Sequence, residues 1–282
     1  MSAKAAVPAR RPRPLPWQLL KELPALVLAF PFLLLASYTL LAAFTPTGAL
    51  DRGSFGHWTL ANFQEAWRSA NFPLLYRNTI LFTGGLLLAQ TLSVVTAGYA
   101  LARMRFRFRE GWFYLILLQL FFPPSALLIP NFLILSHLGL ANSLTGLALP
   151  YVASATGTFL LRQGFRQIPP ELEEAAFLDG ATRTQVLVRI LLPLVRPQLA
   201  AFALVSLVYH WNEFLWPLIF LQSPSKQVLS VGFVSFTTSV ESGMEWGLIA
   251  AGALLVALPT LVAFVLFQGA FLRAFAQSGL KG

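Results

Sequence analysis

The 282-residue sequence contains no cysteine, and this absence removes several classes of chemistry at once. Without a thiol the chain cannot form a disulfide, a thiolate zinc site or a cysteine nucleophile. The three histidines lie far apart and none shows the H-E-x-x-H spacing of a zinc-binding helix. There is also no G-x-x-x-x-G-K-[ST] loop for nucleotide phosphates. We therefore expect no catalytic residue, no metal ligand and no cofactor on this chain.

Charged residues are scarce as well. They make up 11% of the chain, and hydrophobic residues make up 56%, whereas a soluble domain has about 25% charged residues. So few charges cannot cover the surface of a soluble fold of this size, and the composition indicates an integral membrane protein. The net charge of +9 suggests either nucleic-acid binding or basic loops beside a membrane. The second interpretation is favoured because Lys and Arg concentrate in cytoplasmic loops.

Six apolar runs approach the length of about 20 residues that a helix needs to cross a bilayer core of about 30 Å. Prolines in the third run (Pro123, Pro124 and Pro130) predict a kinked helix there. The sequence thus predicts an all-α, polytopic membrane protein with six transmembrane helices. The six runs are Leu23–Phe44, Asn78–Leu101, Trp112–Leu135, Leu144–Leu161, Gln198–Leu221 and Gly247–Phe271.

The basic residues give the six runs an orientation. Sixteen of the twenty Lys and Arg fall before the first run, between the second and third, between the fourth and fifth, or after the sixth. This distribution places both termini in the cytoplasm. We predict a cytoplasmic arm at residues 1–22, a membrane domain at 23–271 and a cytoplasmic tail at 272–282. The first run is too long for a secretory signal and lacks a clear cleavage site, so it is predicted to be retained.

A short helix is expected in the first outer loop. Its sequence NFQEAWRSA begins at Asn62, with Glu65 three residues later, as in a capping box. Trp58 and Trp67 suit a helix that lies at the membrane interface or packs on the protein's own outer surface.

The segment ELEEAAFLDGATRTQVLVRILLP (residues 171–193) is unusual because it places four of the eleven acidic residues within nine positions between two apolar runs. Pro169-Pro170 predicts a helix start, and Asp179-Gly180 predicts its end, with the glycine in a left-handed conformation. A second helix is expected from about Thr182 to Pro193. The result is a helix–turn–helix on the cytoplasmic side, within residues 162–197.

This segment resembles the EAA signature of ABC importer permeases. The resemblance rests on Glu174-Ala175-Ala176, on Gly180, and on Ile190-x-Leu192-Pro193 at the signature's spacing. It implies an ABC importer permease fold, in which the segment is a coupling helix seated in a cleft of a cytoplasmic ATPase subunit. The residues implied for ATPase coupling are Glu174, Ala175, Ala176, Asp179, Gly180, Ile190 and Pro193.

Other stretches are similar to maltose-type carbohydrate permeases, namely TLANFQEAW, LARMRFRFRE, WNEFLWPLIFL and FLRAFAQSGLKG. The last departs from that family, because Ala274 and Ser278 stand where glycines are usual. The resemblance implies half of a translocation pathway for a sugar or oligosaccharide in a prokaryotic plasma membrane, with a phosphorylated polyol or another polar solute handled by relatives as alternatives. The implied partners are a second, different permease, a dimer of ATPases that bind ATP and Mg, an extracytoplasmic sugar-binding protein and membrane lipids. Nucleic acid is not an expected partner.

Polar residues inside the apolar runs are the candidates for a substrate path. Such candidates are Asn131, His210, Asn212 and Glu213. The side chain of each can equally form a hydrogen bond between helices. Glu213 is the only acid within the six runs. An alternative function is an ion-gradient-driven secondary transporter of a small polar solute, which would need intramembrane carboxylates. One glutamate gives that alternative little support, and only the importer requires the EAA segment.

Overall fold

The computed structural model describes residues 15–46, 49, 58–241 and 245–279, and within these ranges the fold is all-α, without strands. The predicted fold class is thereby confirmed. The first fourteen residues of the predicted arm and the last three of the predicted tail lie outside the described residues. The rest of both segments is helical, since helix α1 begins at Leu15 and the last helix runs to Gly279.

Three helices are long and apolar enough to cross a membrane without interruption. They are α1 (Leu15–Phe44), α3 (Phe72–Arg103) and α14 (Trp246–Gly279), and the short α2 (Ala61–Ser69) precedes α3. With a rise of about 1.5 Å per residue, α3 alone is about 48 Å long. Its two ends, Phe72 and Arg103, therefore lie at opposite ends of the bundle.

Three further apolar segments are pairs of helices that meet at a sharp bend. The bends measure 97°, 49° and 77°, and the number of spans is six if each pair crosses the membrane once. The first pair contains α4 (Arg109–Leu118) and α5 (Leu128–His137). The second contains α6 (Leu144–Ala148) and α7 (Ala155–Gln167). The third contains α9 (Arg183–Val186), α10 (Leu192–Leu194) and α11 (Arg196–Asn212), and α8 (Glu171–Leu178) lies between the second and third pairs.

The predicted kink of the third run is confirmed, and it is sharper than an ordinary proline kink. Phe122 and Pro123 both have extended backbones, and a new helical turn begins at Pro124. Because proline lacks an N–H and disfavours a helical residue before it, two consecutive prolines separate α4 from α5.

The fourth and fifth runs were expected as continuous helices, and the structure interrupts both. In the fourth, Ser154 starts α7 anew by accepting a hydrogen bond from the Gly157 N–H at 3.1 Å. In the fifth, α11 ends at Asn212, and α12 (Leu215–Phe220) follows as a separate short helix. Pro217 has no N–H to offer the Glu213 carbonyl four residues back. That carbonyl instead accepts a hydrogen bond from the Ser230 hydroxyl at 2.6 Å, at the start of α13 (Leu229–Glu241).

The predicted capping role of Asn62 is wrong. Helix α2 begins one residue earlier, at Ala61, without a side-chain cap. Asn62 is buried, and its amide donates hydrogen bonds to the carbonyls of Ala43 (3.0 Å) and Thr45 (2.8 Å) at the end of α1. The side chain thus bonds to one of the last carbonyls of α1 and to the carbonyl of Thr45 just after it, and so ties α2 to α1.

Helices α3 and α7 pack closely against each other. A Cβ atom at Gly98 would lie 2.9 Å from the Leu161 Cβ atom and 3.2 Å from the Arg162 nitrogen, so only glycine allows this approach. The helices α3, α7 and α11 meet in one buried cluster that also receives side chains from the segment 171–193. Its buried members are Val94, Val95, Tyr99, Leu161, Phe165, Ile168, Ala176, Val186, Leu191, Val195 and Phe202.

Candidate coupling segment and membrane cavity

Helix α8 begins and ends where the sequence predicted. It starts directly after Pro170, and Gly180 has φ +82°. The Gly180 N–H donates to the Phe177 carbonyl at 3.1 Å, and the Ala181 N–H donates to the Ala176 carbonyl at 3.0 Å. This pair of bonds is a Schellman motif, which requires a residue in the left-handed conformation. A glycine is therefore needed at position 180 for its backbone and not for contact with neighbours, since a Cβ atom there would meet nothing within 4 Å.

The second helix of the segment also starts as predicted. Thr182 and Gln185 form a capping box, in which the Gln185 side chain accepts from the Thr182 N–H at 2.7 Å. The helix then widens into a π-helix over Leu187–Leu191 before it reaches Pro193. Such wide turns are rare and often occur at functional sites.

The two faces of α8 differ in their surroundings. Glu173 and Ala176 are buried against this chain's own core. The opposite face, with Glu174 and Ala175, is exposed, and Leu178 has 89% of its surface accessible. Of the residues implied for coupling, Glu174, Ala175, Asp179 and Gly180 thus lie on the surface, whereas Ile190 and Pro193 are partly buried and Ala176 faces inward.

A partly buried arginine holds the inner face of α8. The Arg103 Nε atom lies 2.8 Å from a carboxylate oxygen of Glu173. Its Nη2 atom donates to the carbonyls of Phe165 (2.6 Å) and Ile168 at the end of α7. Burial raises the pKa of Glu173 above the ordinary value for a glutamate, and the positive charge of Arg103 opposes this effect. The salt bridge therefore offsets only part of the cost of burying the carboxylate.

A second buried arginine joins α7 to α4. Both carboxylate oxygens of Glu110 lie 2.7 Å from the Arg162 Nη2 atom, and the Arg162 Nε atom donates to the Leu101 carbonyl at 3.2 Å. The guanidinium carbon lies 3.8 Å from the centre of the Phe113 ring. In the sequence, Arg103 and Arg162 are signals of orientation only. No sequence pattern revealed their carboxylate partners, Glu173 and Glu110, which lie more than 50 residues away.

A cavity of about 390 Å³ lies between α3, α11 and the bends of the first two helix pairs. Its polar lining consists of amides, hydroxyls and one histidine, and several aromatic rings complete the wall. No Lys, Arg, Asp or Glu is among the described residues that line it. The polar and aromatic residues of the lining are Gln90, Gln119, Phe122, Asn131, Tyr151, Ser154, Thr156, Phe202, Ser206, Tyr209, His210 and Trp216.

Gln90 organises one wall of this cavity. Its amide donates to the Tyr151 carbonyl at 2.7 Å and lies 3.4 Å from the His210 Nε2 atom. Its carbonyl oxygen accepts a hydrogen bond from Ser206. The His210 ring packs on Tyr151 with ring centres 4.7 Å apart, and among the described residues its buried Nδ1 atom has no hydrogen-bond partner. Gln90 thus links α3, the bend of the second pair and α11.

The structure places two of the four predicted substrate-path residues, Asn131 and His210, on the cavity wall. Asn212 instead donates to the Val208 carbonyl of its own helix at 2.7 Å. Glu213 lies at the break after α11 and does not line the cavity. Sequence reasoning missed Gln90 and Tyr209, although an amide within an apolar run was an available signal for the first. Within the described residues, no three His, Asp or Glu side chains come together as metal ligands would.

Comparison with known proteins agrees with these features. Residues 94–274 match the family described as "Binding-protein-dependent transport system inner membrane component". The chain is 31% identical over 223 residues to the sn-glycerol-3-phosphate transport system permease protein UgpE of Pectobacterium atrosepticum, covering 77% of this chain and 79% of that protein. It is 30% identical over 255 residues to the protein of the same name from Salmonella typhi, covering 86% and 91%.

The fold also matches solved structures. A bacterial ABC transporter involved in the import of the acidic polysaccharide alginate contains a chain that superposes with a TM-score of 0.77 at 23% identity, covering 90% of this chain and 94% of that one. A second structure, of the alginate transporter in complex with an alginate pentasaccharide-bound periplasmic protein, gives a TM-score of 0.65 at 20% identity, covering 89% and 92%.

The bundle of continuous and bent apolar helices, matched by these structures, defines a multi-pass membrane protein with the fold of an ABC importer permease. More particularly, the chain belongs to the family of binding-protein-dependent transport system inner membrane components. The resemblance to such permeases seen in the sequence is confirmed.

Proposed function

We propose that this chain is one of two permease subunits of an ATP-driven importer in a prokaryotic plasma membrane. It forms half of the pathway for a sugar or oligosaccharide, with six spans and both termini in the cytoplasm. A second, different permease supplies the other half. A pair of cytoplasmic ATPases, which bind ATP and Mg, drives transport, and an extracytoplasmic binding protein delivers the solute. The family match supports the general assignment.

One observation supports the coupling role of α8: one face of this helix packs against the chain's own core, and the opposite face is exposed. Its inner face is held by Arg103 and the core, while its outer face exposes Glu174, Ala175 and Leu178. Leu178 has 89% of its surface accessible, and the helix that carries it is held in place by the core. An exposed apolar side chain in such a fixed position suits a docking contact with another protein better than one on a free loop. ATP-driven closure of the ATPases around α8 would then shift the balance between inward-open and outward-open states.

The cavity lining supports an uncharged polyhydroxyl solute. The relatives' name refers to a phosphorylated polyol, and phosphate is commonly bound by Arg or Lys side chains. This half of the pathway offers amides, hydroxyls and aromatic rings but no Arg or Lys among the described lining residues. Such a set positions hydroxyl groups by hydrogen bonds and packs against the apolar faces of a sugar ring.

The test is affinity purification of the tagged chain from its native membranes in mild detergent, followed by identification of every protein recovered and an assay of ATP hydrolysis. We expect a pair of ATPases and a second permease, with ATP hydrolysis stimulated by the binding protein. Because detergent can strip partners, the same search is repeated after cross-linking in intact membranes. If cross-linking also recovers no ATPase, the importer assignment is wrong.

A further inference from the structure

The end of α3 contacts α8 through side chains, although the two helices are far apart in the sequence. Arg103 is the last residue of α3, and its partners lie 62 to 70 positions later in the sequence. The side chain is 12% exposed and reaches the carboxylate of Glu173 and two carbonyls at the end of α7. We call Arg103, Glu173 and the carbonyls of Phe165 and Ile168 the clasp.

The clasp is surrounded by apolar side chains that pack the three segments against one another. Tyr99, one turn before Arg103, packs edge-on against Phe165 with ring centres 6.1 Å apart. Ile168 and Ala176 are buried in the same cluster. Arg103 donates to the Phe165 carbonyl, which also accepts from the Ile168 N–H at 3.2 Å, and to the carbonyl of Ile168, the residue that follows α7. The end of α7, the start of α8 and the end of α3 are thus packed as one unit.

The helix α3 leads from the clasp to the cavity. Gln90 lies thirteen residues before Arg103 on this uninterrupted helix, a separation of about 20 Å along its axis. At that level Gln90 bonds to Tyr151 and Ser206 on the cavity wall. A displacement of the clasp along the axis of a straight helix therefore displaces one wall of the cavity.

We propose that Arg103 and Glu173 are positioning residues that transmit the movement of α8 to α3. The inference rests on the proposed function, because it requires ATPase subunits that move α8. In this arrangement the push on α8 reaches the bundle by two routes. One route follows the chain into α7 and, through α9, into α11. The other crosses the clasp into α3 and carries the wall formed by Gln90.

The test measures whether α3 and α8 move together. Since the sequence contains no cysteine, Thr96→Cys and Glu171→Cys place one spin label on an exposed position of each helix. The complex with its ATPases and second permease, whose own cysteines are replaced, is reconstituted in lipid nanodiscs. The distance between the labels is then measured by pulsed EPR without nucleotide and after trapping with ADP and vanadate.

With the clasp intact, the two states are expected to give the same distance distribution. Glu173→Ala is expected to let trapping shift the distance by about 1–2 Å, the usual scale of helix movement at interfaces, or to broaden it. Glu173→Gln keeps an acceptor for Arg103 and is expected to give a smaller change in distance. This variant replaces Glu173→Ala in the measurement if the alanine variant does not assemble. The matched control is Arg105→Gln, which removes a nearby exposed arginine outside the clasp and is expected to behave like the unsubstituted chain.

Two results overturn the inference while leaving the proposed function intact. One is a distance that changes on trapping although the clasp is intact. The other is an ATPase-bound, vanadate-trapped complex in which both Glu173 variants give the unsubstituted distance. If no ATPase binds the unsubstituted chain at all, the proposed function fails, and this inference fails with it.

Discussion

Gly180→Val is expected to lower ATP-driven uptake by about tenfold or more without displacing a neighbouring atom. Gly180 has φ +82°, and a Cβ atom there would meet nothing within 4 Å, so the cost lies in the backbone alone. A left-handed conformation costs an L-residue about 1–2 kcal/mol, and a β-branched side chain such as valine suits it poorly. The turn between α8 and α9 would then relax and misplace the exposed face of α8. Uptake by whole cells, normalised to the amount of chain in the membrane, measures the effect.

Gly139→Val is the matched control for this experiment. Gly139 also has positive φ (+70°) and open space around it, but it lies in the connection between α5 and α6, away from the coupling segment. It should carry a similar backbone cost and leave uptake close to normal. Equal uptake losses in the two variants would mean that position 180 matters only for folding.

Leu178→Gln is expected to weaken binding of the ATPase pair by about 10- to 100-fold while the chain itself folds normally. Burying a leucine side chain contributes about 1.5–3 kcal/mol, and each 1.4 kcal/mol is a factor of ten in affinity. Because Leu178 has 89% of its surface accessible in the isolated chain, the substitution removes no internal contact of consequence. The amount of ATPase retained on the tagged, purified chain at increasing dilution reports the affinity.

Leu60→Gln is the matched control for the weaker ATPase binding expected of Leu178→Gln. Leu60 is 61% exposed and precedes α2, at the end of the bundle opposite Arg103 in the proposed topology. Its replacement should leave ATPase retention unchanged. If Leu178→Gln retains as much ATPase as Leu60→Gln, the outer face of α8 is not the docking surface.

The parts of the segment 171–193 that follow local backbone rules were predictable from the sequence. Pro170 before α8, the left-handed Gly180 after it and the cap at Thr182 each depend on residues within one helical turn. The same holds for the break at Pro123-Pro124. Local steric preferences act in any tertiary setting, so the sequence is sufficient to find them.

The interruption of α11 could not be predicted in the same way. Pro217 signals a weak point, but the break after Asn212 is accompanied by a hydrogen bond from the hydroxyl of Ser230, on another helix, to the Glu213 carbonyl. Asn62 likewise matched a cap by its spacing and instead bonds to the end of α1. In both cases a tertiary hydrogen bond competes with the local pattern and prevails.

The clasp and the cavity wall required the structure for a related reason. An arginine near the end of a transmembrane span indicates which end of that span is cytoplasmic. It does so equally well whether its side chain faces solvent or a buried carboxylate. Only the packing of α3 against α7 brings Arg103 to Glu173 and Gln90 to Tyr151. Sequence reasoning found Asn131 and His210 because polar residues in apolar runs stand out. It could not separate them from Asn212, which bonds within its own helix.

The most direct test of the central claim, that α8 is the docking surface for an ATPase, is photo-cross-linking from position 178 in intact native membranes. A benzophenone amino acid replaces Leu178, and in a parallel sample Leu60, before illumination and identification of the adducts. The account predicts that position 178 captures an ATPase subunit and that position 60 does not. Adducts at position 178 that contain only lipid or segments of this chain, with the chain inserted at its normal level, would contradict it.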